Sequence, residues 1–169
     1  MSDLDVALVK LGTASAELLV AADNCAASWT VPRALGKWSP AQVVEHVARS
    51  FDESVKVVAG EPSSFPVLPR LIRPIVRAIF FTKAIKRGVF PTGAKTNKPL
   101  DPEAGSATPS AARARLDAAV AGFAQACRAQ VAAGHPVMST VFGAVPVVDY
   151  VRFQELHVRH HTGQMPGPT

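Results

Sequence analysis

The chain is predicted to be all-α, a four-helix bundle with a long irregular connection between its second and third helices. Apolar side chains recur three, four and seven residues apart in four separate segments, as one face of a helix requires. Two of those segments open with a polar cap followed by proline, a helix-start signature. The composition is 48% hydrophobic but only 7% aromatic, and Ala, which costs least in a helix, is abundant. At 169 residues the chain can close one core without disulfides or a structural metal, so 1–169 is taken as a single domain.

The first helix is expected from about Leu4 to Ala26, with Leu4, Leu8, Leu11, Leu18 and Ala22 on its inner face. A loop holding Pro32 and Gly36 leads to W-S-P-A-Q. There Ser39 serves as N-cap, Pro40 presets φ at the first helical position and Gln42 completes a capping box. The second helix then runs to about Ala59 on a stripe of Val44, Val47, Ala48, Phe51, Val55 and Val58, stopped by Gly60 and Pro62. His46 falls to one side of that stripe, beside Ser39, Gln42 and Ser50, where it is either exposed or lines a partly open site.

Residues 61–108 are rich in proline and form the long crossover. One or two short helices are expected between about Leu68 and Arg87 and loop thereafter; connections of this length are often lids or binding loops. Thr108 and Pro109 repeat the cap-then-proline start. Ala112, Leu116, Ala119, Val120, Phe123, Cys127 and Val131 line the third helix, which Gly134 and Pro136 end. A short loop, H-P-V-M-S-T-V-F-G-A, precedes a fourth helix opened by Pro146.

Charge and cysteine narrow the setting. Formal net charge is +5, yet Arg70, Arg73, Arg77, Lys83, Lys86, Arg87, Lys95 and Lys98 fall in one stretch without an acid, and the rest of the chain nets −3. Cys25 and Cys127 stand alone in separate helical patterns, the N-terminal M-S-D-L-D is acidic, and no long charge-free apolar run occurs. A cytoplasmic protein without a transmembrane segment is expected.

Chemistry concentrates in E-L-H-V-R-H-H-T-G-Q, residues 155–164, at the end of the fourth helix. His157 and His161 are four apart and share a face, so both imidazoles can reach one ion; His160 points about 100° away from His161. A pair is an incomplete site, since catalytic zinc usually takes three protein ligands. His46 and His135 remain as imidazoles. His135 precedes a proline in a turn, so His46 is the better third candidate.

W-S-P-A-Q-V-V-E-H, residues 38–46, and H-V-R-H-H-T-G-Q, residues 157–164, together resemble the two signature segments of the DinB/YfiT-like superfamily. The resemblance covers both motifs, their order and the helical plan, hence most of the chain. It implies a four-helix bundle, commonly dimeric, that holds a divalent metal through His46, His157 and His161, with His160 not a ligand. It also implies, for some relatives, transfer or isomerisation with a low-molecular-weight thiol. The chain departs from the pattern in its short M-P-G-P-T ending and in its basic insertion.

Zinc and nickel both suit imidazole ligands, and either would polarise a bound oxygen or acidify a water or thiol. The functional expectation is a metal-dependent thiol S-transferase or hydrolase acting on a small molecule, with an anionic one favoured if the basic stretch forms a cationic rim. The alternative is a non-enzymatic metal-containing or stress-related binding protein using the basic stretch on an anionic partner. The bland reading of that stretch is a lid with its charges in water. Nucleic acid and an anionic membrane surface are both disfavoured as partners of that stretch, because no reading helix or interleaved aromatics accompany the charge. Glu45, Glu155, Gln164 and Tyr150 are weak hydrogen-bonding or acid–base candidates, and none is assigned a catalytic role.

Overall fold

The computed structural model describes residues 1–91 and 97–165. Helix α1, Asp3–Asp23, starts on a capping box in which the Ser2 hydroxyl accepts from the Asp5 amide and the Asp5 carboxylate returns the bond. It ends three residues earlier than expected, in a 3₁₀ turn at Ala26–Ser28 that swings Trp29 inward. Helix α2, Pro40–Ala59, has the foreseen Ser39/Gln42 box at its start and Gly60, at φ 75°, at its end.

The crossover contains helical pieces: α3 (Arg73–Val76), a π-helical segment (Arg77–Thr82) and α4 (Lys83–Arg87), followed by a 3₁₀ turn at Lys98–Leu100. Helix α5 is Pro109–Ala132 and α6 is Val147–Thr162. The structure is mostly helical. α2 packs along α5 and α1 along α6, closing a core in which the Phe51 and Phe123 rings lie 5.3 Å apart.

The mostly helical structure is consistent with the all-α expectation, and one connection differs from it. The stretch read as a loop between the third and fourth helices is an antiparallel ribbon, β1 (Val137–Ser139) on β2 (Gly143–Val145), paired Val137 with Val145 and Ser139 with Gly143. Its alternation is local and short: Val137 and Ser139 turn inward while Met138 faces water. Gly143, at φ 72°, supplies the left-handed residue of the hairpin turn, and the Ser139 hydroxyl accepts from the Val141 and Phe142 amides.

This ribbon anchors the crossover. The Leu68 amide donates to the Thr140 carbonyl at 3.0 Å and the Arg77 guanidinium to the Ala144 carbonyl at 2.6 Å. Phe81 stacks on Phe153 of α6 and meets Phe142 beyond the ribbon's first strand. The crossover thus covers one end of the helix assembly as a lid. Lys95 of the basic stretch and the last four residues of the M-P-G-P-T ending lie outside the described residues.

Candidate metal centre

α2 presents His46 and α6 presents His157 and His161, and the three rings meet under the lid. One nitrogen from each lies within 4.8 Å of the others. Nε2 of His157 is 3.3 Å from Nε2 of His46 and 3.0 Å from Nε2 of His161. His46 and His161 are only 4% and 5% exposed. The sequence placed His46 at a polar edge of α2; burial comes from segments far along the chain.

The outward nitrogens fix which protons face the cluster. His46 Nδ1 is 2.7 Å from the Leu100 carbonyl, which can only accept, so Nδ1 carries the proton. His161 Nδ1 is 2.9 Å from the Gln164 amide oxygen and donates to it in the same way. Both neutral rings therefore turn an Nε2 lone pair toward His157. A single proton on His157 Nε2 could satisfy one of these contacts, leaving the other as two facing lone pairs. A cation among the three nitrogens removes that conflict, and outer N–H bonds to carbonyl oxygens are the usual support of metal-ligating histidines. The donor set fits a divalent ion.

Burial also holds the rings neutral. It pushes His46 down against the opposing effect of its hydrogen bond to the Leu100 carbonyl, and it pushes His157 well down, with neighbouring His161 and His46 adding to the effect. His161 is lowered to about 3, again chiefly by burial. Neutral imidazole is the form that binds metal.

The surrounding bonds explain motif positions that carry no ligand. Gln164 accepts from His161 through its oxygen and donates through its amide nitrogen to His160 Nε2 at 3.0 Å. His160 stands outside the three-nitrogen cluster. Trp38 covers His46 at a ring distance of 4.6 Å and donates from Nε1 to Asp101. Gln42 reaches from the capping box to the Pro102 and Glu103 carbonyls, and Trp29 donates to the Ser106 carbonyl. These bonds tie residues 101–106 to the start of α2, which brings the Leu100 carbonyl to His46.

Next to the histidines lies a cavity of about 550 Å³. Phe65, Phe80, Phe90, Phe142 and Phe153 supply much of its wall, Ser50, Tyr150 and Gln154 add polar groups, and Arg33 and Lys37 add charge. Phe90, from the lid, sits 4.9 Å from the His157 ring. Sequence reasoning gave no role to Phe90, Trp38 or Leu100; only the W-S-P run flagged Trp38. The cationic lining belongs to the loop before α2, and among the described residues no cation of the basic stretch lines the cavity. From the lid Val76, Phe80 and Phe90 line the cavity, and among the described residues none of its cations does.

The weaker candidates separate. Glu45 pairs with Arg49, and Glu155 with Arg159; neither lines the cavity. Tyr150 does line it, donating to the Ser54 hydroxyl, and burial pushes its phenol up to about 12. His135 is exposed beside the ribbon, away from the cluster. Cys25 and Cys127 are buried, and burial raises the Cys127 thiol to about 12, which removes it as a nucleophile near neutral pH.

Helices that bring three neutral imidazoles together beside an aromatic-walled cavity define a histidine-cluster protein whose cluster could hold a metal ion. The chain belongs to the DinB superfamily, whose family model matches residues 10–165. No curated protein and no solved structure matches it. No helix among the described residues is long and apolar enough to cross a membrane.

Proposed function

We propose that His46, His157 and His161 bind one divalent ion, zinc or nickel, and that the chain is a metal-dependent enzyme of the thiol S-transferase or hydrolase type. The single observation that carries the first half is the convergence of three Nε2 atoms whose outward nitrogens are committed to Leu100 and Gln164. A bound ion would supply Lewis acidity toward an oxygen or sulfur donor. The four long helices are read with it as the DinB-type bundle, and 1–169 as one domain.

The enzymatic half rests on the cavity. Its volume of about 550 Å³ is in the range of small-molecule sites, and aromatic side chains line it together with the histidines. Phe90 and Phe153 would pack an apolar substrate body, while Tyr150 and Gln154, braced on Ser54, would orient a polar group. Arg33 and Lys37 would receive an anionic end, such as the carboxylate of a low-molecular-weight thiol.

Metal content of the purified protein and of His46→Ala, His157→Ala and His161→Ala variants tests the site. The wild type should carry about one ion per chain and each folded variant far less; unchanged content in the variants rejects it. A conjugation screen with glutathione, mycothiol and bacillithiol against electrophiles tests the reaction. Chelator-sensitive turnover supports the enzyme, and a metal-loaded protein inert to thiols and esters returns the reading to a metal-binding protein. We read the chain as a homodimer, as its resemblance implies, and sedimentation tests that reading.

A further inference from the structure

We infer that the outer face of the lid is a docking surface for an anionic lipid bilayer. Large apolar side chains left in water gather here: Val67, Leu71 (89% exposed), Ile72, Ile75 (58%), Ile79 (54%), Phe80 and Val89. Ile72, Ile75 and Ile79 are spaced three and four apart on the helical run, and its opposite side buries Phe81 and Ala84. Two-faced packing of this kind keeps an aliphatic surface outward for something other than the core.

Charge identifies what covers it. Arg70, Lys83, Lys86 and Arg87 are exposed around these side chains, and among the described residues none of them pairs with a carboxylate. Outside the stretch Arg49, Lys56, Arg113, Arg115, Arg128, Arg152 and Arg159 do pair, while Lys10, Arg33 and Lys37 stand, among the described residues, as scattered unpaired cations. Aliphatic residues among unpaired cations, with no acid from Arg70 to Lys98, match the interfacial pattern in which apolar groups enter the acyl boundary while Lys and Arg stay at the headgroups. A second copy fits poorly, because a two-fold contact would set this acid-free face against itself. Nucleic acid would take the cations and leave the aliphatic side chains unused.

The consequence reaches the cavity. Phe80 is part of the exposed face and also lines the chamber, so the covered surface continues into the cavity wall. A bilayer on this face lies beside the aromatic chamber, independently of whether the histidines hold metal.

Flotation of the purified protein with vesicles of phosphatidylcholine alone, or mixed with phosphatidylglycerol, tests this. Binding should require phosphatidylglycerol, weaken with salt and persist with chelator. Neutralising two cations in Lys83→Gln/Lys86→Gln should weaken it about 25-fold, at about fivefold per cation near an anionic surface. Leu71→Ser/Ile75→Ser should also abolish flotation; both pairs change exposed side chains, and circular dichroism verifies folding. Three results overturn the inference: a folded wild type that ignores anionic vesicles, an oligomer dissolved by Leu71→Ser/Ile75→Ser, which assigns the face to a second copy, or salt-sensitive duplex DNA binding lost in Lys83→Gln/Lys86→Gln without vesicle binding.

Discussion

Gln164 accepts the Nδ1–H of His161 at 2.9 Å and thereby turns the His161 Nε2 lone pair toward His157. The same amide donates to His160, so the double histidine and the glutamine three to four residues beyond it act as one unit. Only one of its histidines belongs to the cluster.

Replacing Gln164 should therefore loosen the site without removing a ligand. Loss of an outer-shell partner typically costs 10- to 100-fold in metal affinity, and Gln164→Ala should fall in that range. Competition with a chromogenic chelator reads it. Gln164→Glu, which keeps an acceptor for the Nδ1–H, should retain more affinity than Gln164→Ala; equal loss would mean that the carbonyl orientation is not what matters.

Gly105 offers a test of the strap that holds Leu100. A Cβ there would lie 2.1 Å from the Ala41 carbonyl oxygen, too close for backbone to accommodate. Gly105→Ala must push residues 101–106 away from the start of α2, at an expected cost of about 1–3 kcal/mol. The same displacement should weaken metal binding by moving the Leu100 carbonyl off His46. Urea unfolding and metal affinity measured together check both; a stable variant with intact affinity would separate the strap from the site.

The metal-free protein should lose stability as pH falls. Burial sets the folded pKa of His46, His157 and His161 below the ordinary value near 6.5, with His161 at about 3. Between those limits the unfolded chain binds protons that the folded one refuses, so unfolding is favoured as pH drops from about 6.5 and the histidine contribution is flat above it. Thermal melts of chelator-treated protein across that window should show the decline. In a folded His161→Gln variant it should be shallower.

The aromatic contact between α2 and α5 sets the stability of the helix assembly. Phe51 and Phe123 are fully buried, and Phe123→Ala leaves a cavity that neighbouring helices can only partly fill. A loss of about 3–5 kcal/mol is expected in denaturant unfolding. A loss under about 1 kcal/mol would indicate that the core collapses around the vacancy.

Much of the plan was legible because it is local. Ser39, Pro40 and Gln42 set the start of α2, and Thr108 with Pro109 set that of α5, through hydrogen bonds spanning three residues. The His157–His161 pairing follows from one turn of helix. The ribbon at Val137–Val145 was missed because two three-residue strands give too few alternations to separate from a loop.

By itself the sequence determined the four long helices, the break between His160 and its two neighbours, and a basic stretch without acids. Only the tertiary structure decided that His46 is buried, that Leu100 and Gln164 aim the cluster, and that the lid sets Phe90 against His157 while none of its described cations lines the cavity. The division has a physical reason. Helix faces and caps depend on neighbours within a turn or so, whereas burial and ring orientation depend on partners brought together by packing, as Leu100 is brought to His46 and His46 to His157.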